Sequence, residues 1–179
     1  MSFSVGNKVV YPSHGPCLID GVVTKIIAGQ STRFYQLSFL DGSGDAVLIP
    51  SAKLRASPIR HLVRKSEIPK LFGSLDKLPL TSANWRQRGI DHAKLLASGS
   101  VFDLAKIVDS LTVLGEAKPL LFRDRQTLEK AKKLLICEIS EVTGETRIAT
   151  EEKIDRVLKL EKRNPNIEGK TVGSRPLQF

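Results

Sequence analysis

The sequence predicts an α+β, multi-domain chain: a small N-terminal β-barrel followed by a compact all-α domain. Three observations carry that expectation. From Phe3 to about Leu62, short apolar bursts are broken by Gly, Pro, Ser and Asp, the pattern of strands joined by tight turns. Beyond Leu62 the apolar residues recur at helical spacing, and no comparable strand pattern returns. Four or five short strands in about 60 residues are too few for a broad sandwich but enough for a small, strongly bent barrel, which removes exposed edges.

Taken in order, "KVVYPSHG" is a strand running into a turn. "LIDGVVTKIIAG" follows with paired aliphatics at Leu18/Ile19, Val22/Val23 and Ile26/Ile27, and "RFYQLSFL" alternates so that Tyr35, Leu37 and Phe39 share one face. "DGSGD" is the next turn and "AVLIP" the next strand. Ser66 is placed to cap a helix bearing Ile68, Leu71, Phe72 and Leu75, after which "LDKLPLTSAN" breaks the chain. Asn84 is the expected cap of a helix from Trp85 to about Ala97, and Ser100 of one carrying Leu104, Ile107, Val108 and Leu111. "GEAKPLLF" interrupts again. The longest helical pattern runs from about Asp124 to Val142, with Leu128, Ala131, Leu135, Ile139 and Val142 on a single stripe. Thr150, followed by Glu151 and Glu152, is expected to open the last helix, its acids suiting the positive end of the dipole. The final "EKRNPNIEGKTVGSRPLQF" has no period. The expected division is residues 1–62 for the barrel, 63–160 for the helical domain and 161–179 for a disordered tail.

A chain of 179 residues with 41% hydrophobic content can form one core, or two small ones in series. With 28 Lys+Arg against 19 Asp+Glu, the net charge of +9 favours an anionic partner, nucleic acid foremost. Cys17 and Cys137 form no CxxC pair, so neither a disulfide framework nor a zinc ribbon is expected. The N-terminus lacks a basic start followed by a long apolar run, and no window approaches the ~18 consecutive apolar residues of a membrane span. The expected setting is soluble and cytoplasmic.

No constellation for catalysis stands out. There is no GxxxxGK[ST], GxSxG or HExxH, and the helical Asp and Glu residues read as solvated faces, so neither an enzyme nor a cofactor is expected. His14 and Cys17 in "HGPC" are two potential metal ligands without a visible third or fourth, whereas a structural zinc site takes four. "DGSGD" joins two strand patterns and reads as a hairpin turn, not a phosphate loop.

The single tryptophan, Trp85, sits at a helix start beside Arg86 and Arg88. With Ile90, Ala93 and Ala97 taken as the apolar stripe, Trp85 lies about 90° from its centre, in a sector with Arg88, His92 and Leu96. Two roles are open: a staple packed on the preceding turn, or a wedge for something outside the protein. On the longest helix, Arg123, Lys130 and Lys133 lie opposite the apolar stripe, while Arg125 and Lys132 flank the stripe itself. A solvated cationic face accounts for these too. Together they fit basic helices positioned by phosphates, with one bulky side chain wedged into a minor groove. The competing reading is a protein-interaction adaptor that never touches DNA.

"FSVGNKVVYPSHG" closely resembles the opening of the CarD/CdnL-type bacterial transcription regulators, whose N-terminal barrel is shared with transcription-repair coupling factors. "NWRQRG…KLLASGSVFDLAKIVDSL" and "EKAKKLLICEIS" resemble the same family's helical domain, in the same order, the likeness running from residue 2 to about 160. The resemblance implies a Tudor-like barrel that docks on the lobe of the RNA polymerase β subunit, partly by strand addition, and a helical domain at the upstream edge of the melted promoter. It implies that Trp85 is the family's minor-groove wedge, which slows bubble collapse. Arg88 matches a basic position beside the wedge, and Arg125 a DNA-contacting lysine. Lys25 falls where a basic residue faces the β lobe, with Ile27 on the same strand. Leu48, in "AVLIP", replaces a family arginine at the polymerase face, and Ile90 replaces a lysine of some members. The protein is expected to be a monomer, nucleoid-associated through polymerase.

Overall fold

A computed structural model describes residues 3–56, 58–75 and 84–161. The Gly- and Pro-punctuated region forms β1 (Lys8–Tyr11), β2 (Gly15–Ile27), β3 (Gln30–Phe39), β4 (Ala46–Pro50) and β5 (Arg60–His61), with a short helix α1 (Ser51–Ala56) before β5. All neighbours pair antiparallel in the order β4-β3-β2-β1-β5. The expected closed barrel is therefore corrected to an open, five-stranded sheet with β4 and β5 at its two edges. β5 is too short to close it: it pairs only with Val9 and Val10, and α1 takes up part of the remaining space by burying Leu54 against Val9, Cys17, Ile19, Leu37, Ile49 and Ile59.

The helical region comprises a 3-10 turn (Lys65–Glu67), α2 (Ile68–Phe72), α3 (Trp85–Ser98), α4 (Val101–Ala117), α5 (Phe122–Thr143) and α6 (Arg147–Glu161). Its core draws Leu71 and Leu75, Leu104, Ile107 and Leu111 of α4, Leu135 and Ile139 of α5, and Ile154 of α6 into one cluster. Truncating any one of these leucines to Ala typically costs about 2–5 kcal/mol. Asn84 and Ser100 cap α3 and α4 as the sequence implies. Two other starts differ. Ser66 is at neither cap position: Arg64 precedes the 3-10 turn and Glu67 precedes α2, and Glu67 Oε2 accepts from the Arg64 amide and from Arg64 Nε, each at 3.2 Å. α6 begins at Arg147, where Thr146 Oγ1 accepts from the amide of Ala149 at 3.2 Å, and Thr150 is buried in the first turn. The break "LDKLPLTSAN" lies largely outside the described residues, and the tail from residue 162 entirely so.

α5 is the central element, packed against α3, α4, α6 and β2. Its apolar stripe is wider than the periodicity implied: every residue from Leu134 to Ser140 is buried, because helices and sheet cover it from several sides. The sheet meets it closely. A Cβ on Gly15 would stand 2.8 Å from Leu134 Cδ2, and the Cys137 thiol donates to the carbonyl of Leu40 at 3.5 Å. Both cysteines are buried, and burial pushes the Cys17 thiol up to about 12, far from a reactive thiolate.

Candidate functional site

The fully buried residues of α3 are Arg88 and His92, with Leu95 and Leu96 partly buried against the helical core, which overturns the stripe assigned to Ile90, Ala93 and Ala97. Ile90 is 52% exposed and both alanines face solvent, while Arg88 is 3% exposed and His92 is buried. These two are tolerated inside because each has a partner. Arg88 Nη2 meets Asp124 Oδ2 at 2.6 Å, and His92 Nε2 lies 3.3 Å from Ser110 Oγ of α4. Burial, with help from Arg88, holds the His92 imidazole below its ordinary pKa, although Asp124 and Asp91 pull the other way.

Asp124 lies in the first turn of α5, so its ion pair joins the start of α5 to the start of α3. Trp85, the first residue of α3, is 49% exposed. Its helix start is fixed by Asn84, whose side chain accepts from the Arg86 amide at 2.9 Å. The Arg86 guanidinium sits 5.1 Å from the centroid of the Trp85 ring. Arg123 arrives from α5: its guanidinium carbon lies 3.7 Å from where a Cβ on Gly89 would be, one turn along α3 from Trp85. The corner thus presents a half-exposed indole with the Arg86 guanidinium over its ring and Arg123 beside Gly89, one turn along α3, while Arg125 is exposed in the first turn of α5. Arg88 does not join that display; it is committed to Asp124 and holds the helix that carries Trp85.

The remaining cations of α5 lie elsewhere. Lys133 pairs with Asp41 of the β3–β4 turn at 2.8 Å, and this bond, more than any other contact, holds the Asp41 carboxyl well below the usual carboxylate range. Lys132 pairs with Glu151 and Asp155 of α6, at 2.9 and 2.8 Å. Lys130 is exposed, facing the same turn as Lys133 across a cleft. It is seven residues, or about 10 Å, along α5 from Arg123. The cationic face therefore splits into a Trp85 corner and a stretch partly neutralised by acids.

Lys25 and Ile27 stand on the distal part of β2, paired with Thr32 and Gln30. The turn between these strands, Ala28–Gly29, has both φ values positive, at 49° and 77°, as a tight hairpin of matching twist requires. β1 pairs with β2 only from Gly15 to Leu18, so the β1-side edge of β2 from Gly21 to Ile27 has no strand beside it among the described residues. That edge carries exposed Val22, Ile26 and Ile27, with Ile26 at 79%. An open strand edge bearing apolar side chains is a surface suited to strand addition. Leu48 is partly buried on β4, opposite Gln36, at the other edge of the sheet. The sequence reading missed Val22 and Ile26 as surface residues; their pairing with Val23 and Ile27 was the signal of a strand apolar on both faces.

An open sheet with an apolar edge is thus joined to a helical region with a cationic aromatic corner. Comparison with known proteins finds two family models, one after the other along the chain. Residues 3–63 match the CarD-like/TRCF RID domain and residues 75–155 match the C-terminal domain of CarD, so the chain belongs to the CarD-like family. It is similar to the putative transcription factor YdeB of Bacillus subtilis (strain 168), with 26% identity over 149 residues that cover 80% of this chain and 94% of that one. Among the described residues, no helix is long and apolar enough to cross a membrane, and no group of three or more His, Cys, Asp or Glu is placed to hold a metal ion.

Proposed function

We propose that the protein is a transcription regulator that docks on the RNA polymerase β-subunit lobe through its sheet and prolongs promoter open complexes with a Trp85 wedge. Family membership and the similarity to a putative transcription factor support the transcriptional role. Docking would use the open edge of β2, with Lys25 and Ile27, and strand addition would supply main-chain hydrogen bonds while Ile26 and Ile27 supply apolar contact. Leu48, on the far edge, would contribute packing where relatives place a charge.

The observation that carries the DNA half of the reading is the exposure of Trp85 on an immobilised helix start. A half-exposed indole is costly to leave in water, and here a buried ion pair and a side-chain cap hold it in place. Arg86, Arg123 and Arg125 would meet phosphates beside it, with Lys130 and Lys133 further along the duplex. Among the described residues no arrangement of base-reading side chains accompanies the ring, so the contact would be independent of sequence and would act on DNA opening. The protein would work as a monomer in the cytoplasm, reaching the nucleoid through polymerase.

The test is the lifetime of an open complex challenged with competitor DNA. Wild type should lengthen it and Trp85→Ala should lose the effect while still binding polymerase. If Trp85→Ala prolongs the lifetime as well as wild type does, the wedge is wrong. A second reading, a protein adaptor without DNA contact, draws on the acids that neutralise Lys132 and Lys133; it requires that no DNA association appear even with polymerase present.

A further inference from the structure

Arg60, in the edge strand β5, touches two helices of the other domain at once. Its Nε donates to the carbonyl of Gly99 at 2.8 Å, and its Nη2 donates to the same oxygen. Its Nη1 and Nη2 also reach the two carboxylate oxygens of Glu138, at 2.7 and 2.8 Å. Glu138 is 1% exposed, in the buried middle of α5, and accepts a further bond from the Val63 amide at 2.9 Å. Forked, charge-assisted bonds of this kind fix orientation as well as distance. The other ion pairs between sheet and helices, Lys8–Glu141 and Lys133–Asp41, are more exposed and hold less.

Gly99 gives the arrangement its meaning. It is the left-handed residue, φ 68°, that closes α3, so Arg60 sits on the carbonyl at the negative end of that helix. The same end rests on the β1–β2 turn: Ser13 Oγ donates to the Leu96 carbonyl at 3.3 Å, and a Cβ on Gly99 would stand 3.0 Å from Pro12 Cγ. Trp85 is at the opposite end of α3, which at 14 residues is about 20 Å away. α3 is thus an arm gripped by the sheet at one end and displaying the indole at the other. A tilt of about 10° at the grip would move the ring by about 3.5 Å over that length.

We propose that Arg60 is a positioning residue: by clamping the end of α3 and the middle of α5 to the sheet edge, it fixes where Trp85 stands relative to the docked sheet. This rests on the proposed function, because it matters only if the sheet and Trp85 act on one complex. When two contacts must be made together, a loose joint loses the gain of the second without changing either contact alone.

The experiment uses the full chain with Arg60→Lys, Glu138→Gln and the double variant Arg60→Met/Glu138→Leu, which leaves no unpaired buried charge. Residual dipolar couplings of sheet and helix amides report whether the two domains share one alignment tensor, and the open-complex lifetime reports function. Wild type should show one tensor. The double variant should show two, keep its polymerase affinity within about twofold, and lose about tenfold or more of the lifetime gain. Arg60→Lys, charged but unable to fork, should fall between them, and Glu138→Gln should loosen the joint without emptying the site. A single tensor in both Glu138→Gln and the double variant, or two tensors with the full wild-type lifetime, would overturn the proposal. A wild type that leaves the lifetime unchanged overturns the proposed function and this inference with it; failure of Arg60 alone is seen when wild type prolongs the lifetime and the double variant does so equally.

Discussion

Arg88 and Asp124 are 36 positions apart in the chain and meet at 2.6 Å inside the protein, with side chains only 4% and 8% exposed. Removing one partner of a buried pair leaves an uncompensated charge, which typically costs about 3–5 kcal/mol. Arg88→Ala and Asp124→Ala should each lose about that much unfolding free energy by urea denaturation. Arg88→Met/Asp124→Leu should recover most of it, since replacing both charges with apolar groups is often close to neutral. Additive single losses in that cycle would mean that the pair is not coupled.

The neighbouring His92 gives the pH dependence. Its ordinary value is 6.5, and in the folded protein it is lower, chiefly through burial. Between 6.5 and that lower value the unfolded chain binds a proton that the folded chain refuses, so stability rises with pH across the window and falls as the solution is acidified. Above 6.5 both states are neutral and the contribution is flat. Asp41 adds a separate loss, beginning near its ordinary 3.8 and continuing below it as the Lys133-bonded carboxylate is protonated. Stability of His92→Gln, measured by denaturant midpoint, should lack the upper slope and keep the lower one; an identical upper slope in the variant assigns it to another group.

Much of the chain was legible from its pattern. The switch of period near Leu62, the caps Asn84 and Ser100, and the positions of α3, α4 and α5 follow from local chemistry that needs no distant partner. The buried side of α3 was not legible, because its two fully buried residues are Arg88 and His92, whose partners Asp124 and Ser110 lie 36 and 18 positions away. Hydrophobicity scored Ile90 and Ala93 as inside for want of that information. Barrel closure failed for the same reason: whether β4 meets β5 depends on the length of β5, which two residues with ordinary strand character do not announce. Thr150 has the local character of a cap, and only packing buries it and leaves Thr146 Oγ1 to accept from the Ala149 amide. The grouping of the candidate residues was not legible, since Arg88 and Lys133 turn out to be held by acids from other elements.

The open edge of β2 separates docking from stability. Ile26 is mostly in water, so Ile26→Glu should change folding stability by no more than about 0.5 kcal/mol. It places a charge in the centre of the proposed contact, and polymerase affinity should fall by about tenfold or more. Lys25→Glu should act chiefly on the association rate and most strongly at low salt. Binding of Ile26→Glu at wild-type affinity, measured by interferometry on immobilised polymerase, would place docking on the β4 edge with Leu48 instead.

The split of the α5 cations predicts unequal effects on DNA. Each phosphate contact contributes about 0.9 to the slope of log affinity against log salt. Arg123 stands beside Gly89, one turn along α3 from Trp85, while the Lys133 ammonium is already bonded to Asp41 at 2.8 Å and must give up that partner to meet a phosphate. Arg123→Ala should therefore lower the slope by about 0.9, and Arg125→Ala similarly, whereas Lys133→Ala should lower it by clearly less. The association of the polymerase-bound protein with promoter DNA, titrated between about 50 and 200 mM salt, reads these slopes directly. Equal losses from Arg123 and Lys133 would mean that the whole length of α5 lies along the duplex. No change from Arg123→Ala, with Trp85→Ala still impaired, would leave the ring acting without a phosphate clamp beside it.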